Sequence, residues 1–392
     1  MIPIAIVTQK KDGRPAYLYF KTDSNTIQFD IYRSGSRRSV AYVLDVYNKA
    51  RELLTWAMSK SIISPNIGSL LRAFDLPEIR SDVQILDVGI PTIQSLDTTE
   101  KDAKLCEDLS NRIQNLQYSP YQLILGRAQN AYYGLEKSKL KLNYATVEPK
   151  WSLETFSGRS KSLEFNVQGW SYPDKIYQES IPYNCALLHF DWICADFRAA
   201  SILSQDNNLI ESFKHSDPYS YLSLCLSGDK ETLRDEAKLL LLKTVNSLDH
   251  DNEYVKTAYP QMCNWLCDLL NNIRSTGKSY NIVGRQFRLS TERNEKSLLN
   301  AVLQGSVASA MQSVIWKIRQ VYPNNIVCDI HDGLVLAVEK DPKRIQRIID
   351  DVSEIFSRPF FGIIQNDPFF PFRISLGEFW KQWNVIKEVR LK

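Results

Sequence analysis

β-branched and aromatic residues crowd three short runs near the start of the chain, at 2–7, 16–20 and 26–32, with polar turns between them. This pattern predicts a small antiparallel sheet. Helical spacing of apolar residues follows at about 42–60 and 66–75, and then a strand-like run at 83–88. Two charged helical patterns, at 97–117 and 119–142, meet near Pro120 and are expected to project as an arm. Beyond residue 150 strands and helices mix, with long helices predicted near 197–213, 229–246, 260–276 and 292–322. The run Ala186 to Asp191 reads as a strand that feeds a helix starting at Ala195. Two further strand-like runs, 325–330 and 334–338, flank His331-Asp332-Gly333 and predict a hairpin with polar residues at its tip. Repeats, low-complexity segments and a clear linker are absent from the sequence.

Length and charge narrow the picture only slightly. At 392 residues the chain suits two or three subdomains around a sizeable core. A formal net charge of +3 gives no global basic field, so any nucleic-acid contact must come from a lined cleft. Seven cysteines without a C-x-x-C pair fit a reducing compartment and argue against a disulfide framework. Cys263 and Cys267 share a helix face but lack a completing His or Cys, which leaves core packing as the reading. The first residues do not resemble a signal peptide and nothing later approaches a membrane span, so a soluble cytoplasmic protein is expected.

The candidate chemistry lies in two carboxylates and two cations. Asp191 and Asp332 each adjoin an apolar run and are expected at the rims of buried strands. Mg²⁺ commonly takes one or two protein carboxylates plus substrate phosphates, so two such aspartates suffice for phosphoryl transfer. A strand end feeding a helix also exposes backbone carbonyls beside the carboxylate, that of Trp192 among them. Taken singly, Asp191 could be a helix cap and Asp332 only a turn former in an Asp-Gly hairpin. Arg234 and Lys238 lie four apart, on one helical face where they can clamp a triphosphate, although a solvated helix face would carry the same residues.

Together these residues resemble the family A DNA polymerases related to bacterial DNA polymerase I. Asp191-Trp192-Ile193-Cys194-Ala195-Asp196-Phe197-Arg198 is similar to the family's first palm motif, and Leu203-Ser204-Gln205-Asp206 with Phe213 keeps its cadence. Arg234-x-x-x-Lys238 resembles the fingers helix, Asn300 to Gly305 the helix that touches template and primer, and His331-Asp332 the last palm motif. Ser157-Gly158-Arg159 with Asn166 and Gln168 reproduces the spacing of the upstream elements, and Gly377-Glu378-Phe379-Trp380 that of the closing segment. The likeness covers roughly 150–385, in the family's order.

The resemblance implies an α+β right-hand fold, with an antiparallel palm sheet, helical fingers and thumb, and a small N-terminal α/β region. The expected divisions are an N-terminal domain at 1–95, a shortened thumb at 96–148, palm at 149–200 and 286–392, and fingers at 201–285. It implies a monomer that binds primer-template DNA and dNTPs, with no membrane partner; a processivity partner is not identified by it. Two Mg²⁺ ions, replaceable by Mn²⁺, would be held by Asp191, Asp332 and the Trp192 carbonyl. Arg234 and Lys238 would grip phosphates, with Lys238 as proton donor to pyrophosphate. Asp196, Leu242 and Asn246 would border the nucleotide. Arg159, Asn166, Gln168, Asn300, Gln304 and His331 would touch the primer terminus or minor groove.

Departures from the family change the expected activity. Asp196 stands for a Glu at the sugar-reading position, Leu242 for a Phe, Asn246-Ser247 for a Tyr-Gly pair, and Gly333 for a third acidic residue. Loss of base-stacking rings, each contributing about 1–3 kcal/mol, implies a slower and less discriminating enzyme. Near the start, Ala5-Ile6-Val7-Thr8-Gln9 resembles the first exonuclease strand with Val7 and Gln9 at its acidic positions. Neither ligates Mg²⁺ as a carboxylate does, so proofreading is expected to be absent. Small size and missing proofreading residues suggest a virus, plasmid or specialised repair context. Two alternatives stay open: a related nucleotidyl transferase that uses rNTPs or works without template, and an inactive DNA-binding accessory protein.

Overall fold

The computed structural model describes residues 3–10, 14–31, 40–58, 61–64, 70, 73–74, 84–87, 93–94, 98–114, 140–142, 145–147, 150–152, 155–164, 168, 185–247, 252–289, 293–360, 368–379 and 382–390. The chain divides into two compact units, Met1–Lys137 and Ser138–Lys392.

In the first unit, β1 (Ile4–Gln9), β2 (Pro15–Lys21) and β3 (Thr26–Asp30) form an antiparallel meander. α1 (Val40–Met58) leads to β4 (Ser61–Ser64), which pairs parallel to β1 and to β5 (Gln84–Asp87), while β6 (Ile93–Gln94) also runs parallel to β1. The small antiparallel sheet expected from the sequence is therefore one half of a six-stranded mixed sheet. Alternation along β1 gives it two apolar faces. Ala5 and Val7 pack with Leu18, Phe20 and the α1 residues Ala50 and Leu54, whereas Ile4 and Ile6 pack with Tyr17, Tyr19 and Cys106. Cys106 belongs to α2 (Thr99–Gln114), where Asp102 accepts from Thr8 Oγ1 at 3.0 Å. α2 thus lies on the sheet rather than projecting as an arm beyond residue 95. The second arm helix at 119–142 falls outside the described residues except for 140–142, as does most of the helix expected at 66–75.

The second unit opens with two short ribbons, β7 (Leu140–Leu142) with β8 (Ala145–Val147), and β9 (Lys150–Ser152) with β10 (Lys161–Glu164). β11 (Cys185–Trp192) is the centre of its main sheet, and α3 (Ala195–Ser204) follows directly. The helix expected over 197–213 is broken at Gln205, which adopts φ 53°, and resumes as α4 (Asn207–His215). Three more helices follow, α5 (Pro218–Ser227), α6 (Arg234–Asn246) and α7 (Glu253–Ala258), of which α5 and α7 were not expected. α8 (Pro260–Thr276), the ribbon of β12 (Lys278–Tyr280) and β13 (Gln286–Arg288), and α9 (Glu295–Val321) complete the middle of the unit. Contrary to expectation, α9 is long and apolar enough to span a bilayer, but 89% of its most apolar window is buried inside the unit. The hairpin of β14 (Ile326–Ile330) and β15 (Gly333–Glu339) precedes α10 (Pro342–Ser357), β16 (Phe372–Phe379) and β17 (Gln382–Val389).

The main sheet has the order β14-β15-β11-β16-β17, antiparallel throughout. One face of β11 carries Leu188, Phe190 and Trp192, all buried, against Phe356 of α10, Phe370 and Phe372. Each such side chain contributes about 1.5–3 kcal/mol on burial. The Trp192 indole N–H also donates to the Phe356 carbonyl at 2.9 Å. Because strand side chains alternate, the rigid aromatic face fixes His189 and Asp191 on the other side. Mixed helix and sheet agree with the expected α+β class.

Candidate active site

β11 places Asp191 opposite Gly333 on β15 and opposite Arg373 on β16. Asp332 immediately precedes Gly333, and its carbonyl accepts from the Trp192 N–H at 3.2 Å. The two aspartates predicted from distant segments therefore stand together, Asp191 near the end of β11 and Asp332 in the turn that opens the neighbouring β15. Ile330 pairs with Gly333, so the turn residues are His331 and Asp332, and His331 takes φ 56°. A non-glycine residue in the left-handed region is strained and is commonly found where function requires it. Gly333, read from the sequence as turn punctuation, is instead the first residue of β15. A Cβ on it would meet His189 Nε2 at 2.5 Å, Asp191 Oδ1 at 3.1 Å and the Phe190 carbonyl at 3.1 Å. The third acidic residue of the resembled family has no room here.

Burial and then the charge of Asp332 push the Asp191 carboxyl up to about 7, partly offset by Arg373. Asp332 is raised by burial and then by Asp196, with Arg159 and His331 opposing. Two secluded like charges with little compensation suit an added cation. Among the described residues, no group of three or more His, Cys, Asp or Glu side chains forms a metal site. A pair of carboxylates still fits Mg²⁺, which keeps waters or takes substrate oxygens for its remaining positions. Asp191 and Asp332 would hold it, with the Trp192 carbonyl at the strand end adjacent. Cys263 and Cys267 do not add a second centre: the first is buried and the second exposed, so core packing describes only Cys263.

Arg159 lies beside this pair. Its Nη2 donates to Asp196 Oδ1 at 3.2 Å, and its Nε is buried without a hydrogen-bond partner. The loop that carries it is tightly set. Gly158 has φ 80°, the Arg285 guanidinium fills the space a Cβ would need, and Arg285 Nη1 donates to the Ser157 carbonyl at 3.2 Å. Gln312 on α9 donates to the Gly158 carbonyl at 2.7 Å. Gln168 donates from Nε2 to Ser160 Oγ at 3.0 Å and to the Asp329 carbonyl at 3.2 Å, which ties its segment to β14. Asn166 lies outside the described residues.

The cationic helix joins the site through α5. Arg234 and Lys238 place their charges 5.5 and 5.9 Å from the Tyr219 ring centre. Cys194, a residue in the left-handed region just past Trp192, is an electrostatic neighbour of the Tyr219 hydroxyl. Burial, then Asp217, push that thiol up to about 12, and Arg234 and Asp332 both act on it. Cys194 thus has charged neighbours among both the carboxylates and the cations. Leu242 and Asn246, farther along α6, are half-buried, and the Asn246 amide donates to the Leu242 carbonyl at 2.9 Å. Asn300 and Gln304 on α9 are half-buried, and the Asn300 Oδ1 is enclosed without a hydrogen-bond partner. Among the described residues, no hydrogen bond or ion pair joins Leu242, Asn246, Asn300 or Gln304 to the aspartates.

Sequence reasoning missed Asp217, Tyr219, Arg285, Gln312 and Arg373. Asp217-Pro218 has the form of a helix start and was legible as such, and Arg373 directly follows the apolar run Phe369–Phe372. The pairings these residues make depend on tertiary structure.

No family model matches this chain, and no curated protein matches it. Among solved structures it is similar to the POL domain of Pol1 from M. smegmatis, determined in complex with DNA primer-template and dNTP, with a TM-score of 0.52 at 17% identity. The alignment covers 87% of this chain and 65% of that one, so the chain spans just under two thirds of its neighbour's length. The fold is polymerase-like. In the polymerase-like fold, the central antiparallel sheet carries Asp191 and Asp332 side by side, with Arg159 and Asp196 next to them.

Proposed function

We propose that this protein is a template-directed DNA polymerase that extends a primer 3′-hydroxyl with dNTPs by two-metal phosphoryl transfer. The reading rests chiefly on the adjacency of Asp191 and Asp332, two half-buried carboxylates, where the charge of Asp332 adds to burial in raising the proton affinity of Asp191. Divalent cations, when bound, would activate the attacking hydroxyl and neutralise the leaving pyrophosphate. The chain's own residues would do the rest by positioning. Arg234 and Lys238 would hold the phosphates, and Lys238, exposed at its tip, would pass a proton to pyrophosphate. Arg159 and His331 would meet the primer terminus, and Asn300, Gln304, Asn166 and Gln168 would serve backbone and minor-groove contacts without reading sequence.

Selection of the sugar would fall to Asp196, already held by Arg159. Leu242 and Asn246 offer no ring for stacking on the incoming base, which supports relaxed selection. Val7 and Gln9 offer no carboxylate at the two positions where the resembled strand is acidic, which supports a lack of proofreading.

Primer extension on a defined template tests the reading. Mg²⁺-dependent synthesis is expected with dNTPs, and Asp191→Asn or Asp332→Asn should abolish it while leaving DNA binding. Equal use of rNTPs, or extension without template, would favour the broader nucleotidyl transferase. DNA binding without synthesis under Mg²⁺ or Mn²⁺ would favour an accessory protein.

A further inference from the structure

Arg234 is held before any substrate arrives. Its Nη2 donates to Asp217 Oδ2 at 2.8 Å and its Nε to Ser220 Oγ at 3.2 Å. The second oxygen of Asp217 accepts the N–H groups of Tyr219 and Ser220, each at 2.9 Å, so one carboxylate both caps α5 and grips the guanidinium. The Asp217 side chain is 7% exposed and that of Arg234 is 30% exposed. Nothing on α6 supplies this hold, because its N-cap, Leu233, has no side-chain hydrogen bond to offer.

Resting on the polymerase reading, we propose that Asp217, assisted by Ser220, is the positioning residue of the triphosphate clamp, fixing Arg234 so that its outward N–H groups and Lys238 face the nucleotide phosphates together. An arginine carries five N–H donors in a rigid fork. Two are directed into Asp217 and Ser220, which leaves three for phosphate oxygens. The Tyr219 ring beneath both cations limits where each can swing. Two effects oppose one another here. A carboxylate next to the guanidinium reduces the positive field that attracts a polyanion, whereas a fixed guanidinium loses less rotamer freedom on binding. Anchoring of the Nε–Nη2 edge by two partners makes the second effect the larger.

Single-turnover extension by the full chain with Mg²⁺ and dNTP separates these effects. Asp217→Asn keeps an oxygen for the α5 cap and removes the charge; Ser220→Ala leaves the cap intact and removes one anchor. The expected result is a dNTP dissociation constant raised about tenfold in Asp217→Asn and about threefold in Ser220→Ala, the scale of one charge-assisted and one neutral hydrogen bond. The maximal rate should change much less than the dissociation constant. A role confined to helix stability would leave the dissociation constant unmoved in correctly folded protein. Unchanged or tighter dNTP binding in both variants overturns the proposal. If Asp217→Asn does not fold, Ser220→Ala decides alone. Calorimetric binding of inorganic tripolyphosphate gives a readout independent of synthesis: weaker binding by the variants than by the parent supports the clamp even if primer extension fails, and equal binding refutes it.

Discussion

Gly333 owes its identity to what surrounds it. Its backbone does not adopt a positive φ, yet a Cβ would intrude on His189 Nε2 and Asp191 Oδ1. Gly333→Ala should therefore destabilise the protein by about 1–3 kcal/mol, the usual penalty of overpacking, as read by urea denaturation. His189→Ala removes the nearest obstruction, so the double variant should lose less than the sum of the singles; strict additivity would show that His189 is not the obstruction. Gly333→Glu, which restores the acidic residue of the resembled family, should lower activity rather than raise it. Asp191 adds a pH dependence at the same place. Its carboxyl titrates near 3.8 when unfolded and is pushed up to about 7 in the fold. Below the lower value both states are protonated and stability is at its fullest. Between the two, the unfolded state ionises first, so stability falls as pH rises, by at most about 1.4 kcal/mol per pH unit for one group. Unfolding in chelator at pH 5 and pH 7 should show this slope in the parent protein and a smaller one in Asp191→Asn. Mg²⁺ should stabilise more at pH 8 than at pH 5, since it favours the ionised form.

At the scale of elements, local pattern was legible and the joins between elements were not. β11 and its flanking helix could be read because one aromatic face repeats at period two, and the hairpin around Asp332 because two apolar runs flank a polar tip. Gly333, placed in the turn with His331 and Asp332, opens β15 instead, because glycine signals either freedom of φ or lack of a side chain, and only the packing of His189 distinguishes the two. The helix over 197–213 was read as continuous because its apolar period runs through Gln205. Its break is fixed by Asp206, which accepts from Leu209 N at 2.9 Å to cap α4 and from Met262 N at 3.0 Å to serve the first turn of α8. A partner fifty-six residues away is invisible to a local window. Asp206 is fully buried, so Asp206→Ala leaves two backbone donors unsatisfied and should cost about 2–4 kcal/mol, two caps' worth. Thermal unfolding measures it. Activity per folded molecule should change little, because Asp206 binds helix ends rather than substrate.

Across the whole molecule, the two units differ in how they treat carboxylates. The second unit gathers Asp191, Asp332 and Asp196 around one end of its central strand, where Asp196 raises the proton affinity of Asp332, Asp332 raises that of Asp191, and Arg159 answers Asp196. In the first unit, the strand that resembles an exonuclease strand is built for packing. Val7 is 5% exposed within an apolar cluster that includes Leu18, Phe20 and Leu54, and Gln9 is 6% exposed. A metal ion at that strand would meet no carboxylate from either position, and mismatch removal needs such an ion. Incubating full-length protein with Mg²⁺ and a primer bearing a 3′ mismatch should leave the primer at its original length, both without dNTPs and with the next correct dNTP withheld. Val7→Asp with Gln9→Glu should not install the missing activity, because the first substitution places a charge in a dry core and should destabilise the unit by several kcal/mol. Metal-dependent shortening of the primer by the parent protein, unaffected by Asp191→Asn, would falsify the absence of proofreading and would place a nuclease centre outside the polymerase-like sheet.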